Sequence, residues 1–188
     1  MYQRTTLEHA LQALGDLLVD RAQAFEVVAI GGGALAMLGL IDRPTEDIDL
    51  VAVVQDAELY TAQPLPPELQ AAIADIAALH GLHRKWVNGE PTGLLRHGLP
   101  AGFLARCSRR SFGGLSVLLA SRFDQIHLKL LAISRQDDKH HADLRQLQPS
   151  VAELRAAAAW ARTQATGAGF EFELRGVLAT FGLESNDV

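Results

Sequence analysis

Asp47 and Asp49 in "EDIDLVAVV", and three consecutive glycines, Gly31 to Gly33, in "VVAIGGGALAM", are the residues with the clearest chemical potential in this chain. Side chains alternate along an extended strand, so Asp47 and Asp49 share one face while Ile48 and Leu50 share the other. Like charges that close repel, and a divalent cation between them relieves the repulsion. Oxygen ligands of this kind suit Mg2+ or Mn2+. A glycine turn that opens a helix presents backbone N–H groups, which suit phosphate. Together they point to a nucleoside triphosphate (NTP) held by Gly31, Gly32 and Gly33, with the cation on Asp47 and Asp49. A hydroxyl would attack the α-phosphate in line and pyrophosphate would leave.

Other chemistries fit the same residues less well. Gly31-Gly32-Gly33-Ala34-Leu35-Ala36 satisfies a dinucleotide fingerprint, but there the ribose-binding acid closes the second strand, whereas Asp47 and Asp49 open it. An Asp-x-Asp glycosyltransferase is disfavoured by the short chain and the upstream glycines. Plain close packing of a helix on a strand explains the glycines, but not two carboxylates on one face beside them.

The elements that must position these residues follow from periodicity. Leu7, Leu11, Leu14, Leu17 and Leu18 recur at helical spacing, with Thr5 or Thr6 as N-cap. "FEVVAI" predicts a buried strand ending at Gly31, "ALAMLGL" a short helix, and "DIDLVAVV" the second strand. "ELQAAIADIAALHGL" predicts a surface helix capped by Gly81, and a short strand is expected around Trp86. "FLARCS" and "LSVLLA" predict a hairpin across "RRSFGG". After Ser121 the chain reads as helices: "RFDQIHLKLLAISRQ", "DDKHHADLRQL", "VAELRAAAAWARTQA", and a last one from about Phe170 to Phe181.

The 188 residues are 48% hydrophobic, enough for one core with a helical appendage. Residues 1–121 are expected to form an α/β core and 122–188 a helical part packed on it. A net charge of −5 argues against holding nucleic acid through the overall field. The single cysteine, Cys107, excludes an internal disulfide and a cysteine-built metal cage, so a reducing, cytoplasmic compartment is expected. The N-terminal stretch reads as an amphipathic helix and not as a leader or membrane span, so no membrane partner is expected.

Several polar residues invite two readings. Arg43 is either a solvated loop arginine or a nucleotide contact beside the glycines. Lys129, in "HLKLLAI", reads as a lysine reaching water from a half-buried helix. His140, His141 and Asp143 resemble a metal cluster, but neighbouring helical residues diverge by about a hundred degrees, which favours a solvated face. Asp124 suits a helix-capping role with Ser121. Trp86 and Asn88 read as structural.

The segment "VVAIGGGALAMLGLIDRPTEDIDLV" resembles the DNA polymerase β-type nucleotidyltransferase superfamily, and within it the AbiEii-like branch. "HLKLLAISRQDDKHHADLRQL" is similar to that branch's helical motif. The resemblance spans about Val27 to Leu147 and implies an α+β nucleotidyltransferase fold, a small mixed sheet flanked by helices with a C-terminal helical part. It implies Mg2+-dependent transfer of a nucleotide to an acceptor hydroxyl, on tRNA or protein, in a toxin with an antitoxin partner. Lys129 would contact the NTP phosphates and Asp143 would be a further acid of the site. Many members carry a third carboxylate on a later strand, yet neither "FLARCS" nor "LSVLLA" holds an acid; Asp143, Asp124 and Glu90 are the alternatives. Without that acid, a binding module that has lost turnover is the rival expectation.

Overall fold

The computed structural model describes residues 1–133 and 138–183. The fold is mixed α+β, with a six-stranded mixed sheet flanked by helices, and the chain divides into two compact units, Met1–Ala120 and Ser121–Val188.

In the first unit the strands are β1 (Phe25–Ile30), β2 (Ile48–Gln55), β3 (Glu58–Thr61), β4 (Val87–Asn88), β5 (Ser108–Phe112) and β6 (Leu115–Leu119). Their order is β3-β2-β1-β6-β5, with β4 paired to β2. β1 is parallel to β6 but antiparallel to β2. The helix after the glycines, α2 (Gly31–Met37), therefore joins antiparallel strands, unlike the parallel β-α-β unit that a dinucleotide fold requires. β4 runs parallel to the beginning of β2, with Asp49 opposite Asn88, and β3 pairs with the end of β2.

The core lies on one face of this sheet. α1 (Arg4–Asp20) and α3 (Pro67–His80) bury Leu7, Leu11, Leu14, Leu69 and Ile73 together with Val27, Ile48, Leu50 and Val87 of the strands. Ile48 and Val87 are neighbours in register and face this core; Asp49 and Asn88, one step along each strand, face the opposite way. A β-bulge leaves Val51 out of register between Ala52, opposite Val28, and Leu50, opposite Ala29. The extra residue lets Leu50 and Val53 both reach the core despite their odd spacing.

Three local expectations change. α1 starts two residues earlier than a Thr5 cap allows, after Gln3, which makes no side-chain capping bond. The first hairpin strand is Ser108–Phe112, not "FLARCS", because Phe103–Arg106 forms a short helix, α4. Ser108, Arg109, Arg110 and Ser111 are exposed on this edge strand, where charge discourages pairing with another chain. Arg109 is anchored by an ion pair to Glu26. β3 was not foreseen from "ELYT", which lacks an apolar run; the turn at Asp56 and Ala57, with φ of 50° and 64°, folds it back onto β2. Gly81 caps α3 in the left-handed conformation, as its position predicts.

The second unit holds α5 (Arg122–Ile133), α6 (Asp138–Gln146), α7 (Val151–Gln164) and α8 (Ala168–Ala179). Ser150 and Glu153 close a reciprocal capping box at the start of α7. Arg122 pairs with Glu153 and donates to the carbonyls of Leu147 and Gln148, tying the α6–α7 connection to α5. Part of the predicted "RFDQIHLKLLAISRQ" helix, at 134–136, lies outside the described residues. Among the described residues no helix is long and apolar enough to cross a membrane.

Candidate active site

The two acids meet at one side chain. Asn88 Nδ2 donates to Asp47 Oδ2 and to Asp49 Oδ1, each at 3.2 Å, so the two carboxylate oxygens lie within twice that distance of one another. The orientation of the amide follows from its other end: Asn88 Oδ1 accepts the backbone N–H of Glu90 at 3.0 Å, a bond the NH2 end cannot make. Asn88 is buried, while Asp47 and Asp49 are half-buried. The pairing of β4 with β2 places the amide there, and the loop ahead of Ile48 brings Asp47 to the same face.

The glycine bend faces the acids. Gly31 has φ +75°, and a Cβ there would lie 2.7 Å from Asp49 Oδ2. A Cβ on Gly32 would meet the Thr45 hydroxyl at 3.0 Å and the Arg43 guanidinium at 3.1 Å; one on Gly33 would meet the Asp47 carbonyl oxygen at 2.6 Å. Each glycine thus admits a different part of the segment running from Arg43 to Asp49. Gly32 and Gly33 are themselves buried, so close packing is a sufficient reason for both.

The connection before the acids is braced from the chain's beginning. Tyr2 and Thr45 exchange backbone hydrogen bonds of 2.6 and 3.0 Å, the Thr45 hydroxyl donates to the Asp47 carbonyl at 3.3 Å, and the Tyr2 hydroxyl accepts the His83 N–H at 2.7 Å. Arg43, half-buried, donates to the Pro44 carbonyl at 3.2 Å. Asp47, Asn88, Glu90, Lys85, His83 and Tyr2 line a cavity of about 360 Å3. A larger one of about 960 Å3 shares Lys85, Asn88 and Glu90 with it, and is also lined by Leu65, Ile73, Ala77 and Arg84.

Of the three alternatives for a third acid, Glu90 alone belongs to this unit. Its exposed carboxylate is 2.8 Å from Lys85 Nζ. The hydrogen bond from Lys85 holds the Glu90 carboxyl below its ordinary range, and the same bond raises the Lys85 ammonium. Asp124 is fully buried in the helical unit; it accepts from the Ser121 hydroxyl at 2.6 Å while its own N–H donates to that oxygen at 3.2 Å, the expected cap. Asp143 is not on a solvated face. It is fully buried and receives the Lys129 ammonium at 2.6 Å; Lys129 is 4% exposed and also lies 3.3 Å from His140 Nδ1. Lys129 therefore does not reach water from a half-buried helix as its surroundings predict: its charge is met inside the helical unit.

Trp86 is wholly buried and donates its indole N–H to the Ile73 carbonyl at 3.1 Å, in keeping with its structural reading. Asn88 is the residue that sequence reasoning missed as a member of the site. Its signal was a polar residue ending the short β-like run "WVN", but its partners become visible only when β4 docks on β2.

Among the described residues, no group of three or more His, Cys, Asp or Glu side chains is arranged to hold a metal ion. Two converging carboxylates still fit Mg2+, which keeps several waters and commonly takes one or two protein carboxylates plus substrate phosphates. Asp47 and Asp49 are the side chains that would hold it. No family model, no curated protein and no solved structure matches this chain.

Proposed function

We propose that the chain is a Mg2+-dependent nucleotidyltransferase that moves a nucleotide from an NTP to an acceptor hydroxyl. The observation that carries this reading is the convergence of Asp47, Asp49 and Gly31: one amide touches both carboxylates, and Asp49 Oδ2 stands against the glycine bend. When bound, Mg2+ would neutralise the phosphates and the charge that grows on the α-phosphate in the transition state. Asp47 and Asp49 would hold it, and the Gly31–Gly33 backbone and Arg43 would orient the triphosphate, Arg43 standing beside Gly32 and Asp49 beside Gly31. The acceptor oxygen bonds to the α-phosphorus, the bond to the bridging oxygen breaks, pyrophosphate takes the electron pair, and the hydroxyl proton leaves to solvent.

The acceptor on this reading is tRNA or a protein hydroxyl, and a role as a toxin with a neutralising partner in the cytoplasm follows the sequence resemblance. So does the assignment of Lys129 and Asp143 to the reaction. Their mutual ion pair supports a structural role for both.

A labelled NTP incubated with the protein, Mg2+ and total tRNA tests the proposal. Label should pass to a macromolecule and pyrophosphate should be released, and Asp49→Ala should abolish both. Transfer that survives Asp49→Ala would place the metal elsewhere. The second reading, a nucleotide-binding module without turnover, is favoured by one observation: the side chain that spans both acids is an amide, which cannot accept a proton. ATP binding without pyrophosphate release would select it.

A further inference from the structure

We propose that Asn88 is a positioning residue that stands in for the cation while the acid pair is empty, and keeps free-cation affinity low so that metal enters together with the nucleotide's phosphates. This inference rests on the metal-site assignment of the preceding section.

The amide is held in one direction. Its two hydrogens point at Asp47 Oδ2 and Asp49 Oδ1, and the Glu90 N–H at Oδ1 resists the flip that would offer an oxygen to a metal. A donor pair shared between two carboxylates does part of the work of a cation, because it places positive hydrogen density between like charges. Such a donor interacts more strongly with the fully charged carboxylates of the empty site than with carboxylates whose charge a metal already shares. Asn88 therefore stabilises the empty state more than the loaded one and lowers the affinity for a cation alone. The side chain is also neutral. In its position, opposite Asp49 in register and touching both acids, a carboxylate would add a third negative ligand, and affinity for hard cations rises with ligand charge. The side of Asp49 that faces the glycine bend is Oδ2, a different atom from the one Asn88 engages. A cation bound through Oδ2 would not compete with the amide for the same oxygen atom of Asp49.

The test is Mn2+ binding to the full chain by calorimetry, without nucleotide. Wild type should bind weakly, and Asp49→Ala should bind nothing measurable. Asn88→Asp should tighten binding on the order of tenfold or more. Asn88→Ala serves if the aspartate variant does not fold: its thermal midpoint should fall without Mn2+, and Mn2+ should raise it by more than it raises the wild type. An Asn88→Asp affinity within threefold of wild type, or an Asn88→Ala midpoint that gains no more from Mn2+ than wild type does, overturns the inference. Equal Mn2+ binding by wild type and Asp49→Ala overturns the metal site itself, a separate failure.

Discussion

The acid pair at the strand entrance and the Lys129–Asp143 pair in the helical unit handle charge in opposite ways. Lys129 and Asp143 are 4% and 0% exposed and answer each other at 2.6 Å, with His140 alongside. Asp47 and Asp49 are half-buried, carry the same sign, and share one neutral amide. A pair of opposite charges can be taken out of water because its field is cancelled locally; two acids of one sign stay nearer to solvent, and Asp47 lines a cavity. The presence of charged residues in a motif therefore does not assign them to chemistry. What distinguishes the two regions is the neighbour and the burial: Asp143 is fully buried against a cation at 2.6 Å, whereas Asp47 and Asp49 are half-buried and meet a second acid across one amide.

Breaking the closed pair should give the largest effect. Lys129→Met leaves Asp143 buried opposite an apolar chain and should cost about 3–5 kcal/mol in urea denaturation. Adding Asp143→Leu should return most of that loss, because replacing both members of a buried pair is often nearly neutral. A double variant as unstable as the two single changes combined would show that the pair is not self-contained.

At the acid pair, backbone conformation sets a smaller scale. Gly31→Ala forces a side chain onto φ +75° and against Asp49, and should cost about 1–2 kcal/mol in the same assay while weakening Mn2+ binding. Gly176→Ala, at an open position within α8, should instead stabilise by about 0.5–1 kcal/mol. Equal costs at the two positions would remove the special geometry of the glycine bend.

The third test asks whether charge balance in the helical unit depends on burial. Glu171 accepts from Arg162 at 2.8 and 3.0 Å and from Arg175 at 2.8 Å, nearer the surface than Lys129. Hydrogen bonding from Arg162 first, then from Arg175, lowers its carboxyl from 4.5 to about 2. A depressed folded-state value contributes stability that is complete above the unfolded value and is lost as pH falls from about 4.5 towards 2. Glu171→Gln should flatten the fall in thermal midpoint between about pH 5 and pH 3 by a small amount, since exposed pairs contribute little. An unchanged slope would assign the acid sensitivity to other groups.

Much of the scaffold is legible in the residues. The leucine spacing of α1, the apolar runs of β1 and β2, the Gly81 cap and the helical run after Ser121 all match their local chemistry. Misreadings fall where a neighbour overrides composition. "SRRSF" is a strand because β6 pairs with it, although an apolar run would be the usual sign. "ELYT" is a strand because a left-handed turn returns it to β2. Asp143 lies among polar residues that suggest water, and is buried because Lys129, fourteen positions earlier, compensates it.

By itself the sequence determined that Asp49 turns away from Ile48 and Leu50 and that a glycine bend precedes it, because strand alternation and glycine's missing Cβ are properties of the chain alone. Asp47, expected on the same strand, lies just ahead of β2 and is brought beside Asp49 by the loop. Only the tertiary structure decided that Asn88 spans both acids, that Asp49 faces Gly31, and that Lys129 closes on Asp143. Those contacts join segments far apart in the chain, and their existence depends on strand pairing and burial, which no local pattern encodes.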